Sequence, residues 1–182
     1  QVDATRRLLT AERGSATIVT AGTGSGKTLA FYLPAVVRVA PEIRRGDAWT
    51  KVVCLYPRQE LLKDQLSSAF ELASRAASAL IGDGRRAITI GSLFGPTPFD
   101  ATEEAVQRAN WKKHGTGYLC PFLRCPKCAS DMVWRLEAIQ RRVEVLECVK
   151  QACGAATAPG SLRLTRRRLQ EEPPDFLFTT TE

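Results

Sequence analysis

Residues 17–36 read TIVTAGTGSGKTLAFYLPAV, and this stretch decides how the chain folds. The apolar residues before its glycines predict a short buried strand over residues 16–21, and the apolar periodicity after them predicts a helix over residues 28–40. A loop with three glycines between a strand and a helix lets backbone N–H groups turn inward and surround a phosphate. The stretch therefore predicts a phosphate-binding strand, loop and helix.

The loop itself, AGTGSGKT, follows the pattern G-x-x-x-x-G-K-[ST] except that Ala21 replaces the first glycine. Its glycines let the backbone approach phosphate oxygens, the Lys27 ammonium suits the β and γ phosphates, and the Thr28 hydroxyl suits Mg2+. The alternative is a plain glycine turn that precedes a helix. We predict a nucleoside triphosphate site, with Lys27 and Thr28 as its catalytic residues, formed by Gly22, Thr23, Gly24, Ser25, Gly26, Lys27 and Thr28.

Strands and helices are predicted to alternate along most of the chain. A helical pattern opens the chain at residues 2–12, and a second long helix follows at residues 58–80. Apolar runs predict three more strands, at residues 51–57, 85–95 and 173–182. This order predicts an α/β fold with a mostly parallel sheet covered on both faces.

Residues 101–168 interrupt this alternation, and we call them the insertion. They carry 13 Lys and Arg against 6 Asp and Glu, whereas the rest of the chain is balanced. We expect residues 1–100 and 169–182 to form one domain and the insertion to have its own fold. The basic excess suits a polyanion such as nucleic acid, although a basic face can also be merely solvated.

Five of the six cysteines lie in the insertion. Cys125 and Cys128 form one short knuckle, and Cys148 and Cys153 form a longer one about twenty residues later, which is the pattern of a zinc ribbon. We predict these four cysteines as the ligands of one Zn2+, with Cys120 as a competitor for one position. Disulfides and an iron-sulfur cluster are the alternatives, and paired knuckles favour zinc over both.

Composition limits the function classes that remain. The 182 residues are 44% hydrophobic and 25% charged, and no apolar run approaches the roughly 20 residues of a membrane span. The chain does not open with a signal-peptide pattern. We expect a cytoplasmic protein that does not contact the membrane.

Two later motifs accompany the glycine loop in a familiar order. LYPRQELLKDQ, residues 55–65, resembles motif Ia of superfamily 2 helicases of the DEAD/DEAH box group, and PDFLFTTTE, residues 174–182, resembles their motif Ib, with Thr181 in place of the usual proline. AGTGSGKT resembles their motif I, in which alanine is common at the first position. The resemblance implies a three-layer RecA-like domain that binds ATP and Mg2+ and moves along nucleic acid.

The resemblance also implies roles for residues outside the loop. Gln1 stands near the position of the glutamine that reads adenine in this family. Arg58, Gln65, Thr179 and Thr180 stand where the family contacts the backbone of one nucleic-acid strand, and we expect DNA rather than RNA. These four side chains could instead cap or satisfy strand and helix ends.

An acidic metal-binding box is the missing part of an ATP-hydrolysing site. Asp83 and Glu182 do not follow apolar strands in the required way, so we expect the box and a second motor domain beyond residue 182, and a fragment that is inactive by itself. The partners would be the remainder of the helicase and, by resemblance to large bacterial phage-defence helicases, antiviral defence subunits. The alternative function is a non-enzymatic zinc module that binds nucleic acid or a partner protein.

Overall fold

The computed structural model describes residues 2–12, 14–20, 27–43, 48–82 and 84–181. Six α-helices and eight strands occur in this part of the chain. In order they are α1 (Val2–Thr10), α2 (Lys27–Val39), β1 (Val52–Tyr56), α3 (Gln59–Gly82), β2 (Ile90–Leu93), α4 (Glu103–Arg108), β3 (Lys113–His114), β4 (Gly117–Arg124), β5 (Asp131–Arg135), α5 (Leu136–Gln140), β6 (Glu147–Cys148), β7 (Leu162–Arg163), α6 (Arg166–Glu171) and β8 (Phe176–Thr180).

The first sheet is parallel and has the strand order β1-β8-β2-β7. β8 lies between β1 and β2, with Phe178 opposite both Cys54 and Ser92. Because all four strands are parallel, their carboxyl ends meet at one edge of the sheet. The prediction of an α/β fold with a parallel sheet is confirmed for this part of the chain.

The predicted strand over residues 16–21 is wrong where the structure describes it. Residues 16–20 have no strand pairing, and the Ile18 side chain is 89% exposed. A strand forms only when a neighbouring strand pairs with its backbone, and none of the described strands runs beside these residues. This apolar run therefore forms no strand, and its Ile18 side chain stays exposed.

Two helices cover one face of the parallel sheet. The buried side chains of α3 recur at helical spacing, so one stripe of this long helix faces the core. Tyr32, Val36 and Val39 form the corresponding buried stripe of α2. The α3 stripe consists of Leu62, Leu66, Ala69, Phe70, Ala73 and Leu80.

The insertion folds into a second, antiparallel sheet with the order β3-β4-β5-β6. Its aromatic side chains are buried. Phe122 packs edge-on against Phe94, which directly follows β2, with ring centroids 5.6 Å apart. It packs in the same way against Trp111, at 5.5 Å. One hydrophobic core thus spans both sheets. The chain returns to the first sheet through β7, which pairs with β2 ahead of the boundary predicted at residue 168.

A buried carboxylate connects the amino ends of three parallel strands. Asp175 precedes β8 and is fully buried, and its Oδ1 accepts from Lys51 Nζ at 2.9 Å and from Arg86 Nη2 at 2.9 Å. Its Oδ2 accepts from the Thr89 backbone N–H at 2.8 Å. Burial alone would raise the pKa of Asp175, but the hydrogen bonds from Arg86, Lys51 and Thr89 outweigh it and lower that pKa.

None of the helices among the described residues is both long enough and apolar enough to cross a membrane.

Candidate nucleotide and metal sites

Of the glycine loop, residues 21–28, the structure describes only Lys27 and Thr28. Gln1 and the loop residues Gly22, Thr23, Gly24, Ser25 and Gly26 lie outside the residues that the structure describes. Lys27 is described as the first residue of α2 by its backbone alone. A helix therefore begins directly after the loop residues, and the amino end of a helix carries a partial positive charge that favours anions.

Thr28 stands in the first turn of α2, where its side chain is partly buried. The Gln65 Nε2 amide donates to Thr28 Oγ1 at 3.3 Å, which joins α2 to α3. A cavity of about 320 Å³ opens beside this contact between the two helices, lined by Thr28, Leu29, Tyr32, Ser68, Glu71, Leu72 and Arg75. The hydroxyl predicted to meet Mg2+ is thus held by a side chain from the neighbouring helix.

Three of the residues predicted to contact nucleic acid stand at the carboxyl edge of the parallel sheet. Arg58 is exposed between β1 and α3, and Thr179 and Thr180 end β8 opposite Leu55 and Tyr56. Thr179 Oγ1 donates to the Leu93 carbonyl at 2.7 Å, so it also satisfies the end of β2. Gln65, predicted with them, lies on the second turn of α3 and contacts Thr28 instead of sharing this edge.

Two tyrosines that the sequence did not single out connect α2 to the sheet. The hydroxyls of Tyr32 and Tyr56 are hydrogen-bonded, and the Tyr56 ring stacks on Phe178 with centroids 6.2 Å apart. Burial raises the pKa of both tyrosines, so both remain neutral near pH 7. In the sequence each tyrosine is one aromatic residue within an apolar run. Their contact could not be predicted because it forms only when α2 and β1 come together in the fold.

The four predicted metal-binding cysteines come together. The sulfurs of Cys125, Cys128, Cys148 and Cys153 all lie within 4.8 Å of one another. The Sγ atoms of Cys125 and Cys153 are 3.7 Å apart, and those of Cys128 and Cys148 are 3.5 Å apart. A disulfide requires about 2.05 Å, so none of these thiols is cross-linked.

The backbone of each knuckle is bent to present its sulfurs. After Cys128 the chain turns through Ala129 with φ 56°, and the Ala129 N–H donates to the Cys125 carbonyl at 2.8 Å. After Cys153 the chain turns through Gly154 with φ 58°. A left-handed residue behind each knuckle reverses the chain so that both pairs face a single centre.

The pKa values of Cys128 and Cys148 are shifted in opposite directions. Hydrogen bonds from Ser130 lower the pKa of Cys128 to about 6, whereas burial raises the pKa of Cys148 to about 12. Thiolates are the form that binds metal, so a metal bound by these four thiols would displace their protons.

Comparison with known proteins decides the family. The sequence model of the DEAD/DEAH box helicase family matches residues 1–113, which is more than half of the chain. The chain belongs to the DEAD/DEAH box helicase family. No curated protein and no solved structure matches it. Family membership brings with it an ATP-dependent, helicase-related function on nucleic acid that uses ATP and Mg2+.

The family match and the cysteine cluster occupy different parts of this helicase-family chain. The match contains the glycine loop, α2, β1, α3 and β2 and ends at Lys113, before the first of the clustered cysteines. The metal candidate is therefore a feature of the insertion.

Cys120 takes no part in the cluster among the described residues. It lies in β4, fully enclosed by the core that joins the two sheets, and burial raises its pKa to about 12. A neutral, enclosed thiol behaves as a small apolar side chain. The structure therefore places Cys120, the alternative zinc ligand predicted from the sequence, apart from Cys125, Cys128, Cys148 and Cys153.

Proposed function

We propose that this chain binds MgATP in the loop of residues 21–28 and serves as part of an ATP-dependent nucleic-acid helicase or translocase. The observation that carries the proposal is the DEAD/DEAH box family match, which includes the whole loop. Gly22, Gly24 and Gly26 would let the backbone wrap the phosphates, Lys27 would neutralise the β and γ phosphates, and Thr28 would ligate Mg2+. The start of α2 directly after the loop supports this assignment.

We further propose that one nucleic-acid strand lies across the carboxyl edge of the parallel sheet. Arg58 is exposed there and can contact a phosphate with its guanidinium fork, and Thr180 ends the paired strand opposite Tyr56. Contacts of this kind hold the backbone without reading sequence. The strand would therefore be bound irrespective of base order, as a translocating motor requires.

The cysteine cluster is proposed as a structural Zn2+ site. Four thiolates at about 2.3 Å from one tetrahedral zinc ion stand about 3.8 Å apart. Two of the sulfur pairs here are 3.7 and 3.5 Å apart, and all four sulfurs lie within 4.8 Å of one another. In a four-iron cluster each sulfur binds a different iron and the sulfurs stand farther apart. A site closed by four protein ligands leaves no position for substrate, so the metal would hold the insertion together.

ATP binding by variants of the loop lysine tests the nucleotide assignment. We expect Lys27→Ala to weaken binding of a fluorescent ATP analogue at least tenfold in the presence of Mg2+, because the phosphates lose their point charge. Lys112→Ala, which removes an exposed lysine of the insertion, should bind like the unaltered protein. Equal affinity for Lys27→Ala and Lys112→Ala would contradict the proposed site.

A further inference from the structure

Gln65 was predicted from its motif to contact nucleic acid, yet its amide contacts Thr28 in the first turn of α2. The contact to Thr28 joins residues 37 positions apart and depends on the packing of α3 against α2. Leu62 and Leu66, which flank Gln65 on α3, are at most 1% exposed and fix the helix in the core. The amide is thus presented to Thr28 from a rigid support.

The distance along α3 separates Gln65 from the strand-binding edge. α3 begins at Gln59, directly after the carboxyl end of β1, and Gln65 stands six residues into the helix. At 1.5 Å per residue, this places it roughly 9 Å behind the helix start and away from the edge that carries Arg58. Its position therefore favours a contact with α2 over a contact with the nucleic-acid strand.

A threonine hydroxyl that ligates a metal needs a partner for its proton. The oxygen has two lone pairs and one hydrogen, so a metal can take a lone pair only if the O–H points away from it. As the amide stands, Nε2 donates to Oγ1. A half-turn of the amide, whose oxygen and nitrogen are nearly the same size, puts Oε1 in that place to accept the O–H.

We propose that Gln65 is a positioning residue for Mg2+: its amide oxygen would accept a hydrogen bond from the Thr28 hydroxyl, which keeps its proton and so turns a lone pair toward the metal of bound MgATP. The inference rests on the proposed nucleotide site and deepens it. Gln65 touches neither the nucleotide nor the metal and acts through Thr28 alone.

The test is a Mg2+ titration of ATP-analogue binding to the purified protein. Gln65→Met keeps the length of the side chain but removes the acceptor, and we expect it to raise the Mg2+ concentration for half-maximal binding roughly three- to tenfold. Gln65→Glu keeps an acceptor and should titrate within about twofold of the unaltered protein. Binding measured with excess chelator should be the same for all three proteins.

The matched control is Gln140→Ala, which removes an exposed glutamine at the end of α5 and should change nothing. A Gln65→Met protein that titrates like the unaltered one overturns the inference. So does a Gln65→Met protein that loses only single-stranded DNA binding, because Gln65 would then contact the strand. If the unaltered protein itself fails to bind MgATP, the proposed function falls, and the role of Gln65 falls with it.

Discussion

Asp175 shows how much of this fold depends on a single side chain. Its carboxylate is fully buried and receives donors from before β1 and before β2, so one residue aligns the amino ends of three strands. Within the motif at residues 174–182, roles were predicted from the sequence for Thr179 and Thr180 only. Nothing in the sequence indicates that Asp175 is buried. Pairing over more than 80 residues becomes visible only in the folded chain.

Asp175→Asn should destabilise the protein by about 3–5 kcal/mol, because Lys51, only 3% exposed, then stays buried without a counter-charge. Urea unfolding at pH 7 measures the loss. Asp131→Asn is the matched control, because Asp131 pairs with Arg124 where the two side chains are 44% and 60% exposed, and should cost less than about 1 kcal/mol. Similar losses in the two variants would contradict the role of Asp175.

The same carboxylate sets a pH dependence. Its folded pKa is lowered from the ordinary value of about 3.9, so its contribution to stability is complete above that value and is lost as the pH falls through the folded pKa. The stability difference between the unaltered protein and Asp175→Asn should therefore shrink below about pH 4. Unfolding curves of both proteins from pH 7 to pH 3 measure it.

Among the elements, β4 joins the insertion to the rest of the molecule. It begins at Gly117, where a Cβ would come within 2.4 Å of the Trp134 carbonyl oxygen on β5. That contact is with backbone, which cannot move aside without breaking the ladder. Only glycine fits at this position of the antiparallel sheet.

Gly117→Ala should therefore cost about 1–3 kcal/mol of unfolding free energy by forcing β4 and β5 apart. Gly115→Ala is an informative comparison, since no atom lies within 4 Å of its Cβ position but its φ of 53° strains a side chain. It should lose about 1 kcal/mol. Thermal unfolding measures both, and a harmless Gly117→Ala would refute the close packing.

The elements also show where sequence reasoning succeeds. Strands β1, β2 and β8 were predicted because each is an apolar run bounded by turn residues or prolines, and β2 and β8 lie between neighbouring strands as that pattern indicates. β1 forms as predicted but lies at the edge of the sheet, where Val53 and Leu55 are exposed. The run at residues 16–20 is also rich in β-branched residues and forms no strand, because strand formation depends on a neighbouring strand that composition does not reveal. The Gln65 contact was missed for the same reason.

Across the whole molecule, the cysteine cluster makes the most direct prediction. We expect the purified protein to contain one zinc per chain, and Cys148→Ser to lose most of it, because a three-thiolate site binds zinc far less tightly. Cys120→Ser should keep its zinc, since Cys120 lies outside the cluster. Elemental analysis measures both. Zinc lost from Cys120→Ser, or iron-sulfur absorbance in the unaltered protein, would contradict the assignment.

Knuckle spacing made this cluster predictable, since two short cysteine pairs in one basic segment leave few other arrangements. The exclusion of Cys120 was not predictable. Cys120 precedes Cys125 by only five residues, and its separation from the cluster arises because β4 turns it into the shared core. Spacing alone does not show which way a strand residue faces.

The chain leaves the parallel sheet after β2 and rejoins it at β7, and these two strands are neighbours. An excursion that starts and ends at adjacent strands can change in length without rewiring the sheet, so topology permits its gain or loss as a unit. The free energy of folding opposes such a loss, because removing the excursion would expose Phe94 and the side of α3 on which β4 packs. The insertion could therefore be removed without changing the strand order of the parallel sheet, but its removal would expose part of the hydrophobic core.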